Sequence, residues 1–145
     1  MKTRFTRLGA LAAAIALTTS IAGCSGSPST DKVSVGPDVT VYLSDDMIVE
    51  ATVGQEFAID FGVINTSVGD EWEVIEEPDG TIVSDFSSDM KYLGEDDMVG
   101  APSELKYVGE AAAPGSTEIV FRYTYRGDRL ADHPDVKATV TVTEP

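Results

Sequence analysis

One histidine, one cysteine and 25 acidic side chains are the groups in this 145-residue chain whose chemistry must be weighed first. A Ser-His-Asp hydrolase needs an imidazole oriented by a carboxylate and aimed at a hydroxyl. His133 is the only imidazole, it sits in the stretch His133-Pro134-Asp135, and no G-x-S-x-G turn accompanies it. It therefore reads as a solvated loop residue. Carboxylate pairs are so frequent in this acidic chain that none of them points to glycosidase chemistry. Neither Asp45-Asp46 nor Glu95-Asp96-Asp97 has the D-x-D-x-D-G alternation of a calcium loop, which leaves at most a weak, nonspecific cation site at 95–97. Arg126-Gly127-Asp128 spells an integrin-recognised tripeptide but reads as a turn, and Asn65-Thr66-Ser67 is a glycosylation sequon. No catalytic residue, cofactor or metal is expected.

The charge balance narrows the partners. Ten basic residues against 25 acidic ones give a formal net charge of −15 and a pI near 4.1. Phosphate binding draws its affinity from Lys and Arg that displace counterions, so nucleic acid is excluded as a partner. An anionic membrane surface is equally unsuited to direct electrostatic binding. Lys2, Arg4 and Arg7 precede an uncharged stretch from Leu8 to Leu17, too short to span a bilayer but fitting a signal peptide. The stretch leads into Ile21-Ala22-Gly23-Cys24, which resembles the lipobox of bacterial lipoproteins. That resemblance implies cleavage before Cys24, acylation of its sulfur, and a location outside the cytoplasm on a bacterial membrane. Acyl chains gain roughly 0.8 kcal/mol per buried CH₂, and two or more anchor stably. Residues 1–23 are thus expected to be a removable leader and 24–38 a lipidated cysteine with a flexible Ser/Gly/Pro-rich linker. Loss of the leader takes three basic residues and leaves −18; from Val39 onward the charge is −17.

The elements that position any loop must lie between Val39 and Pro145. Hydrophobic residues make up 42% of the chain, enough to build a core. Val39–Tyr42 and Ile48–Ala51 read as strands either side of a turn at Asp45-Asp46. Phe57, Ile59, Phe61 and Val63 alternate with smaller or polar residues, as do Trp72 and Val74, then Ile119, Phe121, Tyr123 and Tyr125, then Val136, Ala138, Val140 and Val142. Thr81–Val83 and Leu105–Val108 complete the set. Seven or eight strands at this spacing predict an all-β domain, an immunoglobulin-like β-sandwich over 39–145, and a monomer is expected. Two long connections remain, 84–103 and 126–135, and loops of this length carry binding surfaces.

The run Asn65-Thr66-Ser67-Val68-Gly69-Asp70-Glu71-Trp72, preceded by the Gly54 turn and the strand at Phe57, resembles the chagasin-type cysteine peptidase inhibitors. Their signature loop reads N-P-T-T-G-Y-x-W. Asn65, Gly69 and Trp72 match at the right separations, Ser67 is a conservative match, and Thr66, Val68 and Asp70 depart. Gly100 stands at the first glycine of the family's G-x-G-G loop. Arg126 stands where the family has R-P-W or R-P-F, without the proline and the aromatic. The resemblance implies three loops at one end of a sandwich that wedge into the cleft of a papain-like cysteine peptidase, with Asn65, Thr66, Ser67, Val68 and Gly69 at the centre and Gly100 and Arg126 on the flanks. The loss of proline and of the aromatic implies weaker or differently targeted inhibition than the full motif set gives. A non-inhibitory adhesin or accessory module of the cell envelope, using the same loop end, is the alternative. An acidic cation-buffering domain is a third. The charge favours a partner with a neutral or basic cleft rim and association slowed by salt.

Overall fold

A computed structural model describes residues 37–95 and 98–145. The leader at 1–23, Cys24 and the linker as far as residue 36 lie outside the described residues, as do Asp96 and Asp97. The described chain forms nine strands: β1 (Val39–Tyr42), β2 (Asp46–Thr52), β3 (Glu56–Ile64), β4 (Asp70–Glu76), β5 (Val83–Tyr92), β6 (Ser103–Ala111), β7 (Gly115–Tyr125), β8 (Asp128–Arg129) and β9 (Val136–Thr143). They make two sheets, β1-β3-β6-β5 and β2-β9-β7-β4, with the short β8 pairing β7. The all-β sandwich expected from the alternation is present.

Each sheet contributes one apolar face. Phe57, Ile59, Phe61, Leu105 and Tyr107 face Met47, Val49, Ile119, Phe121, Ala138, Val140 and Val142, all buried. Burying a side chain of this size contributes about 1.5–3 kcal/mol, so the alternation itself selects the register. At the end of the sandwich that carries the long loops the core turns aromatic. Phe61 lies 4.8 Å from Phe121, 5.1 Å from Trp72 and 5.4 Å from Tyr107, ring centroid to centroid. The Tyr107 hydroxyl donates to the Trp72 carbonyl at 2.7 Å, tying one sheet to the other directly beneath those loops. Trp72 is half-buried against this cluster, as its place in the strand pattern suggested.

Four expectations need correction. The turn expected at Asp45-Asp46 ends before Asp46. Asp46 already belongs to β2, and β1 pairs parallel with β3 while β2 pairs parallel with β9, so the chain changes sheets at 43–45. Val63 does not continue the buried face of β3: a bulge between Asp60 and Gly62, with Gly62 at φ +75° and its amide held by Asp60 Oδ1 at 2.8 Å, turns Val63 outward and Ile64 inward. Ser84–Tyr92 is not a connection but most of β5, a polar edge strand with its own irregularity at Asp85, φ +51°. Finally, the strands number nine where seven or eight were expected, because β8 forms within the 126–135 stretch.

Candidate functional site

The directions of the strands gather three loops at one end. Residues 65–69 join β3 to β4, 93–102 join β5 to β6, and 126–127 turn β7 into β8.

The first loop is closed by its own backbone and by Asn65. The Asn65 Oδ1 accepts from the Ser67 amide at 3.1 Å, and its carbonyl accepts from the amides of Val68 at 3.1 Å and Asp70 at 3.3 Å. The Thr66 carbonyl accepts from the Gly69 amide at 3.1 Å. This local bonding is what a short polar side chain at a turn provides. It leaves the side chains of Thr66, Ser67 and Val68 exposed at the tip. Gly69 closes the turn at φ +104°, a conformation other residues rarely adopt.

Asp70, which departs from the resembled motif, is tied into the base of this loop. Its Oδ2 accepts from the Asn65 amide at 3.3 Å, and its Oδ1 accepts from the Tyr123 hydroxyl at 2.8 Å. One carboxylate thereby spans the base of the loop and fastens it to β7. The hydrogen bond to Asp70 is the main reason the Tyr123 phenol is pushed above its ordinary pKa, with burial adding to it. Tyr107 is also raised, there chiefly by burial and then by the carboxylates of Glu71, Glu77 and Glu73.

The other two loops touch the first. The Asn65 Nδ2 donates to the Gly100 carbonyl at 3.2 Å. Arg126 and Gly127 both have positive φ, +54° and +82°, and form a two-residue hairpin turn between the paired Tyr125 and Asp128. The Arg126 amide donates to the Gly69 carbonyl at 2.8 Å and its Nε to the Val68 carbonyl at 3.3 Å, while its guanidinium lies 5.2 Å from the Tyr125 ring centre. All seven residues singled out from the sequence, Asn65, Thr66, Ser67, Val68, Gly69, Gly100 and Arg126, therefore lie in one contiguous group of loops. Asp70 and Tyr123 support that group through a bond that spacing did not show, and Tyr123 offered only the signal of a strand aromatic. Under the first loop a cavity of about 150 Å³ opens, with Thr66, Trp72, Met90 and Tyr107 in its wall.

The His133 ring lies 5.0 Å from the Tyr123 ring, tilted by 42°. The segment carrying it is pinned by Asp135, which accepts from Arg122 Nε and Nη2, both at 2.9 Å, and from Arg129 at 3.2 Å. Arg122 holds the Asp135 carboxyl below the usual carboxylate range. Among the described residues no group of three or more His, Cys, Asp or Glu is placed to hold a metal ion.

The sequence matches no protein-family model and no curated protein. The fold is similar to that of amebosin, whose solution structure matches with a TM-score of 0.51 at 16% identity, over 74% of this chain and all of the other. Further similar structures are the cysteine protease inhibitor EhICP2 from Entamoeba histolytica (TM-score 0.46, 20% identity, 74% of this chain and 100% of that one) and PbICP-C in complex with falcipain-2 (0.49, 17%, 72% and 98%).

Proposed function

We propose that this chain is a chagasin-type inhibitor of papain-like cysteine peptidases, held outside the cytoplasm on a bacterial membrane by lipid on Cys24. The observation that carries the reading is the junction of Asn65–Gly69, Gly100 and Arg126 at one end of the sandwich, in the order that the resemblance of the loop sequences implies.

An inhibitor of this kind must fill a cleft without offering a scissile carbonyl in register with the catalytic thiol. The turn at 65–69 suits that task, because its carbonyls at Asn65 and Thr66 are already engaged by amides of the same loop. Rigidity before binding limits the entropy lost on association. Here it comes from Asn65, from Asp70 and from the flanking loops, not from a proline.

The test is inhibition of papain and of a cathepsin L-like enzyme by the full chain. Inhibition of either supports the reading. Its absence for both at high micromolar concentration leaves only a narrow native target or the adhesin alternative. Where inhibition is found, replacing Thr66-Ser67-Val68 by Gly-Ala should abolish it with the fold intact; unchanged potency would show that this loop does not enter the cleft.

A further inference from the structure

Among the described residues of the three loops, the second carries the two most exposed apolar side chains, ahead of Val68 in the first. Val99 is 99% exposed and Met98 52% exposed, both near the tip of the second loop. The third loop turns on Arg126-Gly127 and presents no apolar side chain.

The support beneath this tip is well bonded. The Leu93 amide donates to the Pro102 carbonyl at 2.9 Å and closes the stem, and the Met98 amide donates to the Glu95 carbonyl at 2.9 Å. The Tyr92 hydroxyl donates to the Met98 carbonyl and accepts from the Ala101 amide at 3.3 Å. Its ring fits there because residue 94 is glycine: a Cβ at that position would lie 2.5 Å from the ring and 2.7 Å from the Ala101 Cβ. Gly100, next to Val99, is the residue that Asn65 grips. Two unsheltered apolar side chains are thus presented on a fixed support directly beside the central loop. Such an arrangement loses little freedom on binding and gains by desolvation.

We infer that Met98 and Val99 are the apolar anchor of the interface, seated in an apolar side-chain pocket that opens off the peptidase cleft next to the catalytic thiol. This inference rests on the inhibitor reading above. It assigns the energetic role of the aromatic missing from the third loop to aliphatic groups on the second. The polar tip of the first loop, Thr66 and Ser67, then fills the cleft, while the net negative charge of the domain favours a pocket with a neutral or basic rim.

The experiment compares the full chain, a Met98→Ser/Val99→Ser double variant, the single Val99→Ser and the conservative Val99→Leu as inhibitors of papain. Melting is followed by the fluorescence of Trp72 to verify folding. The double variant should inhibit roughly tenfold or more weakly, chiefly through faster dissociation, and Val99→Leu should stay within about threefold of the parent. If the double variant melts early, Val99→Ser decides, since a fully exposed side chain contributes no core packing. Unchanged inhibition by a folded serine variant overturns the anchor and leaves the inhibitor reading standing. A parent chain that inhibits neither papain nor the cathepsin L-like enzyme overturns the anchor on such enzymes together with the general inhibitor reading.

Discussion

Gly69 and Arg126 approach so closely that a Cβ on residue 69 would lie 2.5 Å from the Arg126 Cγ and 2.9 Å from its backbone nitrogen. The glycine is required twice, for its φ of +104° and for this contact with a residue 57 positions downstream in sequence. Gly69→Ala should therefore destabilise the domain by about 1–3 kcal/mol and part the first loop from the third. Urea unfolding followed by Trp72 fluorescence measures the first effect, and loss of peptidase inhibition the second.

Tyr123→Phe removes the hydroxyl that holds Asp70 and should cost roughly 1.5–3 kcal/mol, the range for hydrogen bonds to a charged group. The pH dependence has a definite sign. Because the folded-state pKa of Tyr123 is raised, its contribution is complete below the unfolded tyrosine value near 10 and is lost as pH rises through the higher folded value. Thermal melts from pH 8 to 11.5 should show a shallower alkaline decline for the phenylalanine variant. Tyr107, whose pKa is raised as well, contributes to the decline that remains.

Thr66 stands where the resembled motif has proline. Among the hydrogen bonds of the described residues, none uses the Thr66 amide, so a proline there removes no bond of the loop. Thr66→Pro should raise stability by about 0.4–1 kcal/mol through the unfolded chain and tighten inhibition. Parallel melts and inhibition constants check both.

Asp135 contributes in the opposite pH range from Tyr123. Its folded-state pKa is lowered, first by the hydrogen bonds from Arg122, so its stabilisation is present above the ordinary carboxylate value near 4 and is lost as pH falls through the lower folded value. Asp135→Asn should lower the melting temperature at pH 7 and flatten its fall below pH 4.

Thr124 is buried, and its Oγ1 has no hydrogen-bond partner. Thr124→Val keeps the shape and the strand preference while removing that hydroxyl. A gain of about 1 kcal/mol is expected in chemical denaturation.

How much of this could be read beforehand depends on where each residue's partners lie. The apolar face of β9, Val136, Ala138, Val140 and Val142, is legible because a half-buried strand must alternate. Val63 broke the same rule where Gly62 permitted a bulge. Ser84–Tyr92 was illegible as a strand because β5 is an edge, exposed along most of its length, with only Val83 buried. In the candidate site, Asn65 and Gly69 were legible because each meets a requirement of its own turn. The Asp70–Tyr123 bond joins residues 53 apart and leaves no trace in local spacing. Nor does spacing reveal that Tyr92 braces the loop bearing Val99.

The direction of β1 has a mechanical consequence. It runs parallel to β3, whose last residue leads into the first loop, and Asp38 fixes its start by accepting from the Glu56 amide at 3.0 Å. The chain therefore enters the sandwich at the end opposite the three loops. A pull between the segment upstream and a partner gripped at the loops would act along the axis of Val39–Tyr42, stretching its bonds to β3 all at once. Bonds stressed in shear fail together and at higher force than bonds peeled singly, so tension along this line meets the joint in its stronger orientation.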